Sequence, residues 1–218
     1  MAKMKYGQNL EFGLDNFQVG THLVKSSGKQ ALWVDSVTDA TMKLKGKGFE
    51  VSDSNGDYLS AGIVRKLVVK DGDGDLVVSV SDLNVKATRV FDAFEKGGFE
   101  GVVNFISKGD DRQIGSKHDD LIFGGGGDDV MTGKGGSDLF IFNAQNNQAN
   151  AGPEHDVITD FDIKGADADR IFFDEGYKLK AVHGGDDTLV KFDSGSTLLL
   201  EDVKKTAFED YLDTIMNI

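Results

Sequence analysis

A nine-residue repeat, extending in frame from residue 106 to residue 159, constrains the fold of this chain more than any other feature. Three consecutive units, 115–123, 124–132 and 133–141, read GSKHDDLIF, GGGGDDVMT and GKGGSDLFI. Each has a glycine-rich or polar first half, an aspartate in the sixth place and an apolar residue in the eighth. A unit of this length suits a tight turn followed by a short strand, repeated twice per turn of a coil. The repeat therefore predicts a stack of turns rather than a linker.

The same frame extends in both directions. Upstream it covers ISKGDDRQI (106–114), where Gln113 takes the apolar place, so this unit is expected to cap the coil. Downstream it covers AGPEHDVIT (151–159), and the intervening residues 142–150 are expected to be a degenerate or looped-out unit. Units on the same side of the coil are eighteen residues apart. This spacing predicts that Asp111 pairs with Asp129, Asp120 with Asp138, and Asp138 with Asp156.

The charge of the chain favours cations or basic molecules as binding partners. The net charge is −13, and residues 109–175 alone hold fifteen acids against five Lys and Arg, a balance of −10. Asp outnumbers Glu by 29 to 8, and short carboxylates in tight turns suit a hard, oxygen-seeking cation. The acidity disfavours nucleic acid and anionic membrane surfaces. The absence of cysteine excludes disulfides and thiolate metal sites.

These units resemble the calcium-binding nonapeptide of the haemolysin-type (RTX) family, GGxGxDxUx. The resemblance implies a right-handed parallel β-roll that binds several Ca²⁺ ions through the sixth-place carboxylates and the carbonyls of the glycine loops. The aspartates so implied are Asp111, Asp120, Asp129, Asp138 and Asp156. The glycines so implied are Gly109, Gly124, Gly126, Gly127, Gly133, Gly135 and Gly136.

The sequence departs from the family pattern in the first and third full units. Ser116, His118 and Lys134 stand where glycine is expected, so the site shared by the loops 115–120 and 133–138 is expected to be incomplete. Farther on, Asp160 and Asp162 are candidates either to extend the calcium ladder or to end it.

The resemblance also implies the route and destination of the protein. Members of the family leave bacteria through type I ABC-transporter systems, directed by an uncleaved C-terminal signal, and the end of this chain, DTIMNI, is similar to such signals. The first residues lack the apolar region of a Sec-type signal peptide. No stretch approaches the roughly 20 apolar residues of a membrane span. We therefore expect a bacterial protein that is secreted, extracellular or attached to the cell surface.

The rest of the chain predicts a predominantly all-β protein in three parts. Residues 1–105 form a β-rich region that ends in two short helices, 106–175 form the calcium-binding roll, and 176–218 form a strand and helix cap that includes the secretion signal. Between two predicted strands lies DGDGD (71–75), which reads as a hairpin turn. The alternative, an EF-hand loop, lacks the required glycine at Leu76.

Two functions remain open from the sequence. The first is a calcium-folded, non-enzymatic surface or matrix binding protein of adhesin-like type. The second is an extracellular polysaccharide-active enzyme, or a calcium-dependent accessory module of one. The HExxH and GxSxG motifs are absent, and no catalytic residue is assigned. Solvent-facing aromatic side chains, with Trp33 and Tyr58 as candidates, would favour contact with glycan, although core positions for them are expected more often.

Overall fold

The computed structural model describes residues 3–6, 21–35, 39–52, 59–70, 73–74, 76–81, 83–142, 152–173 and 177–216. Within these residues sixteen strands and two helices form the fold, which confirms the predominantly β class. The chain divides into two compact units, Met1–Ile106 and Ser107–Ile218. Neither described helix is long and apolar enough to cross a membrane.

The first unit is built on an antiparallel sheet. Its strands are β1 (Lys3–Tyr6), β2 (Thr21–Ser27), β3 (Gln30–Asp35), β4 (Thr41–Val51), β5 (Leu59–Lys70), β6 (Leu76–Ser81) and β7 (Val85–Lys86). Their order is β1–β6–β5–β4–β3–β2, with β7 paired to β5. The antiparallel pairing of β5 with β6 confirms the predicted hairpin, whereas Asp71 and Asp75 of its turn lie outside the described residues.

One face of this sheet forms the core of the unit. Met42, Leu44 and Leu67 are at most 1% exposed, as alternation along β4 and β5 requires. Trp33 is also buried, and its ring lies 5.0 Å from that of Phe91. Trp33 is therefore a core residue rather than a solvent-facing one, and Tyr58 lies outside the described residues.

Helix α1 (Ala87–Ile106) replaces the two short helices that the sequence predicts. A Cβ on Gly101 would lie 2.3 Å from the carbonyl oxygen of Ala93, although residues eight apart in a straight helix are separated by about 12 Å along the axis. The helix is therefore sharply bent between these residues, where Gly97 and Gly98 lower its stiffness. The predicted stripe is buried at Val102, Val103 and Ile106, and the side chain of Phe99 is not among those described.

The second unit carries the repeats as two rows of strands. The strands of one row are β8 (Arg112–Ile114), β10 (Val130–Thr132), β12 (His155–Ile158) and β16 (Thr197–Leu200), which pair in parallel in that order. The second row contains β9 (Leu121–Phe123), β11 (Leu139–Phe142) and β13 (Arg170–Phe173), also parallel. Chain order alternates between the rows from β8 to β13, so each row receives every second repeat.

The eighth-place residues form the core between the two rows. Ile122, Met131, Phe140 and Ile158 are completely buried. Gln113 occupies the same place at the first turn and is also completely buried, with its Nε2 donating to the Phe123 carbonyl at 2.5 Å. A buried amide is tolerated because its hydrogen bonds replace those to water. Gln113 therefore closes one end of this core.

The last part of the chain covers the other end of the repeats. The strands β14 (Leu179–Gly184) and β15 (Thr188–Phe192) extend the first row in antiparallel fashion beside β16, which makes that sheet mixed. Helix α2 (Lys205–Met216) follows. Its Phe208 is completely buried, and the Tyr211 hydroxyl accepts a hydrogen bond from the Ile171 N–H at 2.9 Å.

Candidate calcium site

Two rows of buried aspartates lie at the starts of these strands. The first row is Asp111 and Asp129, which directly precede β8 and β10, and Asp156, which is the second residue of β12. The second row is Asp120, Asp138 and Asp169, which precede β9, β11 and β13. All six side chains are at most 6% exposed. Buried carboxylates are rare unless they are paired or bind a cation, so these rows are the candidate site.

In the first row each aspartate donates its backbone N–H to the side chain of the next. The Asp111 N–H donates to Asp129 Oδ1 at 2.7 Å, and the Asp129 N–H donates to Asp156 Oδ1 at 2.9 Å. Glu154 joins this row because its Oε1 accepts the N–H of Gly127 at 3.1 Å. Three aspartates and a glutamate are thus brought together in successive loops.

The second row repeats the same arrangement. The Asp120 N–H donates to Asp138 Oδ1 at 2.8 Å, and the Asp138 N–H donates to Asp169 Oδ1 at 2.9 Å. Asp160 lies at the edge of the row, where its two side-chain oxygens accept the N–H groups of Gly133 and Lys134, both at 2.8 Å.

One predicted pair is wrong and one residue of the rows was missed. Asp156 lies beside Asp129, 27 residues earlier, instead of beside Asp138. The partner of Asp138 is Asp169, 31 residues later, which the regular spacing does not reach. The segment between β11 and β12 is longer than one repeat, so the eighteen-residue spacing fails beyond Phe142. Asp169 does carry the local signal of the repeat, since an apolar Ile171 follows two residues after it.

The residues that precede these aspartates form a second, exposed set of hydrogen bonds. In this set the N–H of the later loop donates to the carboxylate of the earlier loop, the reverse of the buried set. The N–H of Asp128 donates to Asp110 Oδ1 at 3.1 Å, and the N–H of His155 donates to Asp128 Oδ1 at 2.8 Å. In the other row the N–H of Ser137 donates to Asp119 Oδ1 at 2.8 Å. Consecutive loops are therefore joined both by buried and by exposed carboxylates.

Glycine holds the fourth place of three of these loops, whereas His118 holds it in the loop 115–120. Gly109, Gly127 and Gly136 have φ values of 114°, 114° and 96°, which L-residues seldom adopt. A Cβ on Gly127 would lie 2.6 Å from the carbonyl carbon of Gly109, and one on Gly136 would lie 2.4 Å from that of His118. Close stacking of successive loops therefore depends on Gly127 and Gly136, whereas at Gly109 only the φ value favours glycine.

The other predicted glycines occupy the same loops. A Cβ on Gly133 would lie 2.1 Å from Asp138 Oδ2, and one on Gly124 would lie 3.0 Å from the Phe142 ring. The Gly126 carbonyl accepts the Gly109 N–H and lies in the loop before Asp129. Gly135 faces open space. These residues line the loops between which the resemblance implies calcium.

Burial makes ionisation of the rows unfavourable in the absence of a cation. Burial, reinforced by the charge of Asp156, raises the pKa of Asp129 to about 9, although the Asp111 N–H lowers it. Burial also raises the pKa values of Asp138 and Asp156 to about 7 and that of Asp169 to about 6. The pKa of Asp120 is raised for the same reason, with the Ser116 N–H and the Lys134 charge acting against the shift.

Two oxygens in these rows suit a cation. Asp129 Oδ2 and Asp120 Oδ1 are buried and have no hydrogen-bond partner within the described part of the chain. A buried carboxylate oxygen without a donor is unfavourable unless a positive charge lies against it. Among the described residues, no three His, Cys, Asp or Glu side chains form a group arranged to hold a metal ion. A cation here would need backbone carbonyls in addition to the carboxylates, which is the all-oxygen donor set of Ca²⁺.

Comparison of the chain with protein-family models, with curated proteins and with solved structures found no match. The geometry of the two rows is therefore what indicates a function for this chain.

Proposed function

We propose that this is a secreted calcium-binding protein of the RTX type, in which residues 107–173 form a right-handed parallel β-roll that becomes fully stable on binding Ca²⁺. The observation that carries the proposal is Asp129 Oδ2, which is buried between two further aspartates of the same row and receives no hydrogen bond from any residue that the structure describes. Without a cation, burial and the neighbouring carboxylates disfavour ionisation of Asp129, whereas a bound divalent cation favours it.

The donor chemistry favours calcium over other biological cations. The loops offer carboxylates and carbonyls and no thiolate, and Ca²⁺ accepts six to eight such oxygens in flexible geometry, whereas Mg²⁺ demands a near-ideal octahedron. In the proposed sites neighbouring carboxylates of the row, Asp111 with Asp129 and Asp129 with Asp156, hold calcium together with loop carbonyls such as that of Gly126. Bound calcium supplies the positive charge that offsets repulsion within the row.

The expected size of the effect suits a protein that becomes ordered outside the cell. Extracellular calcium modules bind with Kd values of about 10⁻⁴ to 10⁻³ M. At about 1 mM Ca²⁺ and a Kd of about 10⁻⁴ M, each site stabilises the fold by roughly 1.4 kcal/mol. Several sites would supply a large share of the roughly 5–15 kcal/mol of a typical domain. At cytosolic calcium this stabilisation is absent, which suits export of a loosely ordered chain by a type I transporter.

The direct test compares far-UV circular dichroism and thermal unfolding in EGTA, in 5 mM Ca²⁺ and in 5 mM Mg²⁺. We expect calcium, and not magnesium, to raise the Tm and to increase the β signal. Binding stoichiometry from equilibrium dialysis identifies how many ions are held. Equal melting curves in EGTA and calcium would refute the proposal.

A polysaccharide-binding role is favoured by one feature of the first unit. An open cavity of about 550 Å³ is lined by the lysines Lys47 and Lys86 and by the hydroxyl side chains Ser60 and Thr88. Ammonium and hydroxyl groups of this kind suit an anionic sugar. The described lining contains no carboxylate, whereas glycoside hydrolysis generally uses two, so the cavity suits binding rather than turnover. Loss of binding to an acidic glycan in Lys47→Ala, with turnover absent in the wild type, would support this role.

A further inference from the structure

The backbone at Lys134 has a conformation that normally belongs to glycine. Lys134 is the second residue of its repeat and has a φ of 81°. Gly125 holds the second place of the preceding repeat and has a φ of 80°. L-residues with long side chains seldom adopt this conformation. A lysine at this place therefore needs interactions that hold it there.

Both the backbone and the side chain of Lys134 are held. Its N–H donates to Asp160 Oδ2 at 2.8 Å. Its Nζ donates to the carbonyl oxygen of Gly115 at 2.6 Å. Gly115 begins the loop 115–120, whereas Lys134 belongs to the loop 133–138. The ammonium thus spans the gap between two consecutive loops of the second row, where a shared cation would lie.

In the first row glycine holds the equivalent place. Gly125 packs against the preceding loop, since a Cβ there would lie 2.3 Å from the Ser107 carbonyl oxygen, so this place supplies no side chain to the gap. The carboxylate of Glu154 adds negative charge to these loops instead. The two rows therefore share one backbone design and differ in which ion they can accept.

We propose that Lys134 is the built-in cation of the gap between loops 115–120 and 133–138, so that calcium binds preferentially to the loops of the first row. This inference rests on the proposed calcium-binding function. The ammonium takes up the Gly115 carbonyl, which removes one oxygen from the donor set of the gap. It also places a positive charge where a divalent ion would have to enter, and two positive charges at such a distance repel strongly in a partly buried site.

The test measures calcium stoichiometry and affinity by equilibrium dialysis and isothermal titration calorimetry. Lys134→Gly removes the ammonium and tolerates the positive φ. We expect this variant to bind one more Ca²⁺ per chain than the wild type at 1 mM, or to bind its weakest ion at least about tenfold more tightly. Lys134→Asn serves as a second neutral variant, because asparagine also tolerates this conformation. Lys117→Gln is the matched control, since Lys117 is exposed in the same pair of loops.

Lys134→Arg keeps the charge and should retain the wild-type stoichiometry. Equal stoichiometry and affinity in the wild type, Lys134→Gly and Lys134→Asn would overturn the inference while calcium binding itself stands. An equal gain in Lys117→Gln would also overturn it, because the effect would then come from net charge rather than from the contact with Gly115. Absence of calcium binding in every variant would refute the proposed function and this inference with it.

Discussion

Replacing Asp129 by asparagine removes the charge at the centre of the first row and keeps an oxygen that can accept the Asp111 N–H. In the folded, calcium-free protein burial raises the pKa of Asp129 to about 9 from an ordinary value of 3.8. In the unfolded chain the group ionises freely above pH 4. Folding at neutral pH therefore requires a proton to be taken up or a charge to be buried, and asparagine avoids both.

The size of the effect follows from linkage between protonation and folding. Each pH unit between the unfolded and the folded pKa is worth about 1.4 kcal/mol. Without calcium, Asp129→Asn should therefore be more stable than the wild type by an amount of order 4 kcal/mol at pH 7 and of order 2 kcal/mol at pH 5. With calcium this difference in the free energy of unfolding should shrink or change sign, because the variant lacks a charged calcium ligand.

Urea unfolding of both proteins at pH 5 and pH 7, in EGTA and in 5 mM calcium, measures these differences. Asp128→Asn is the matched control, since Asp128 is the exposed neighbour and also keeps its acceptor for the His155 N–H. It should change the free energy of unfolding by less than about 1 kcal/mol. The reasoning is refuted if Asp129→Asn is less stable than the wild type in EGTA at pH 7, or if its advantage fails to grow between pH 5 and pH 7.

Three further outcomes are expected. Gly136→Ala should lower the free energy of unfolding by about 2 kcal/mol or more with and without calcium, because the φ of 96° and a 2.4 Å approach to the backbone of His118 exclude a Cβ. Gly135→Ala should be nearly neutral, and urea unfolding compares the two variants. In calcium, Asp129→Ala should lower the Tm more than Asp111→Ala, because Asp129 lies between two neighbours of the first row and Asp111 begins that row; equal losses would contradict this. Without calcium, the Tm should fall as pH rises from about 4 to 9. The reason is that the buried carboxyl groups, with folded pKa values of about 6 to 9, keep their protons to higher pH in the folded than in the unfolded state. Calcium should make the Tm less dependent on pH across this range.

The parts of the site that depend on the local repeat were predictable from the sequence. The sixth-place and eighth-place residues of the three consecutive units, such as Asp120 and Ile122, are buried as the pattern requires. The pairing of Asp111 with Asp129 followed from their separation, because two repeats make one turn of the coil. Within an uninterrupted run, sequence distance and position in the fold are equivalent.

The remaining features depend on interactions that sequence distance does not encode. Asp169 joins the second row because β13, which follows it, pairs with β11. The number of residues between β12 and β13 does not predict this pairing. The side-chain amide of Gln113 can close the core because the Phe123 carbonyl happens to face it. The bend in α1 arises where two glycines adjoin, and propensity alone does not distinguish a bent helix from two short ones.

The hydrogen bonds from one aspartate N–H to the next carboxylate have a consequence for how such a protein can change over generations. The Asp129–Asp156 link spans 27 residues and the Asp138–Asp169 link spans 31, yet both have the same length, 2.9 Å, as if no extra residues intervened. Insertions between turns therefore leave the stack intact, provided that an aspartate and the apolar residue two places after it return at the end. The segment between Phe142 and Gly152 is accordingly a place where foreign peptides could be grafted, with calcium-dependent melting as the measure of whether the stack survives.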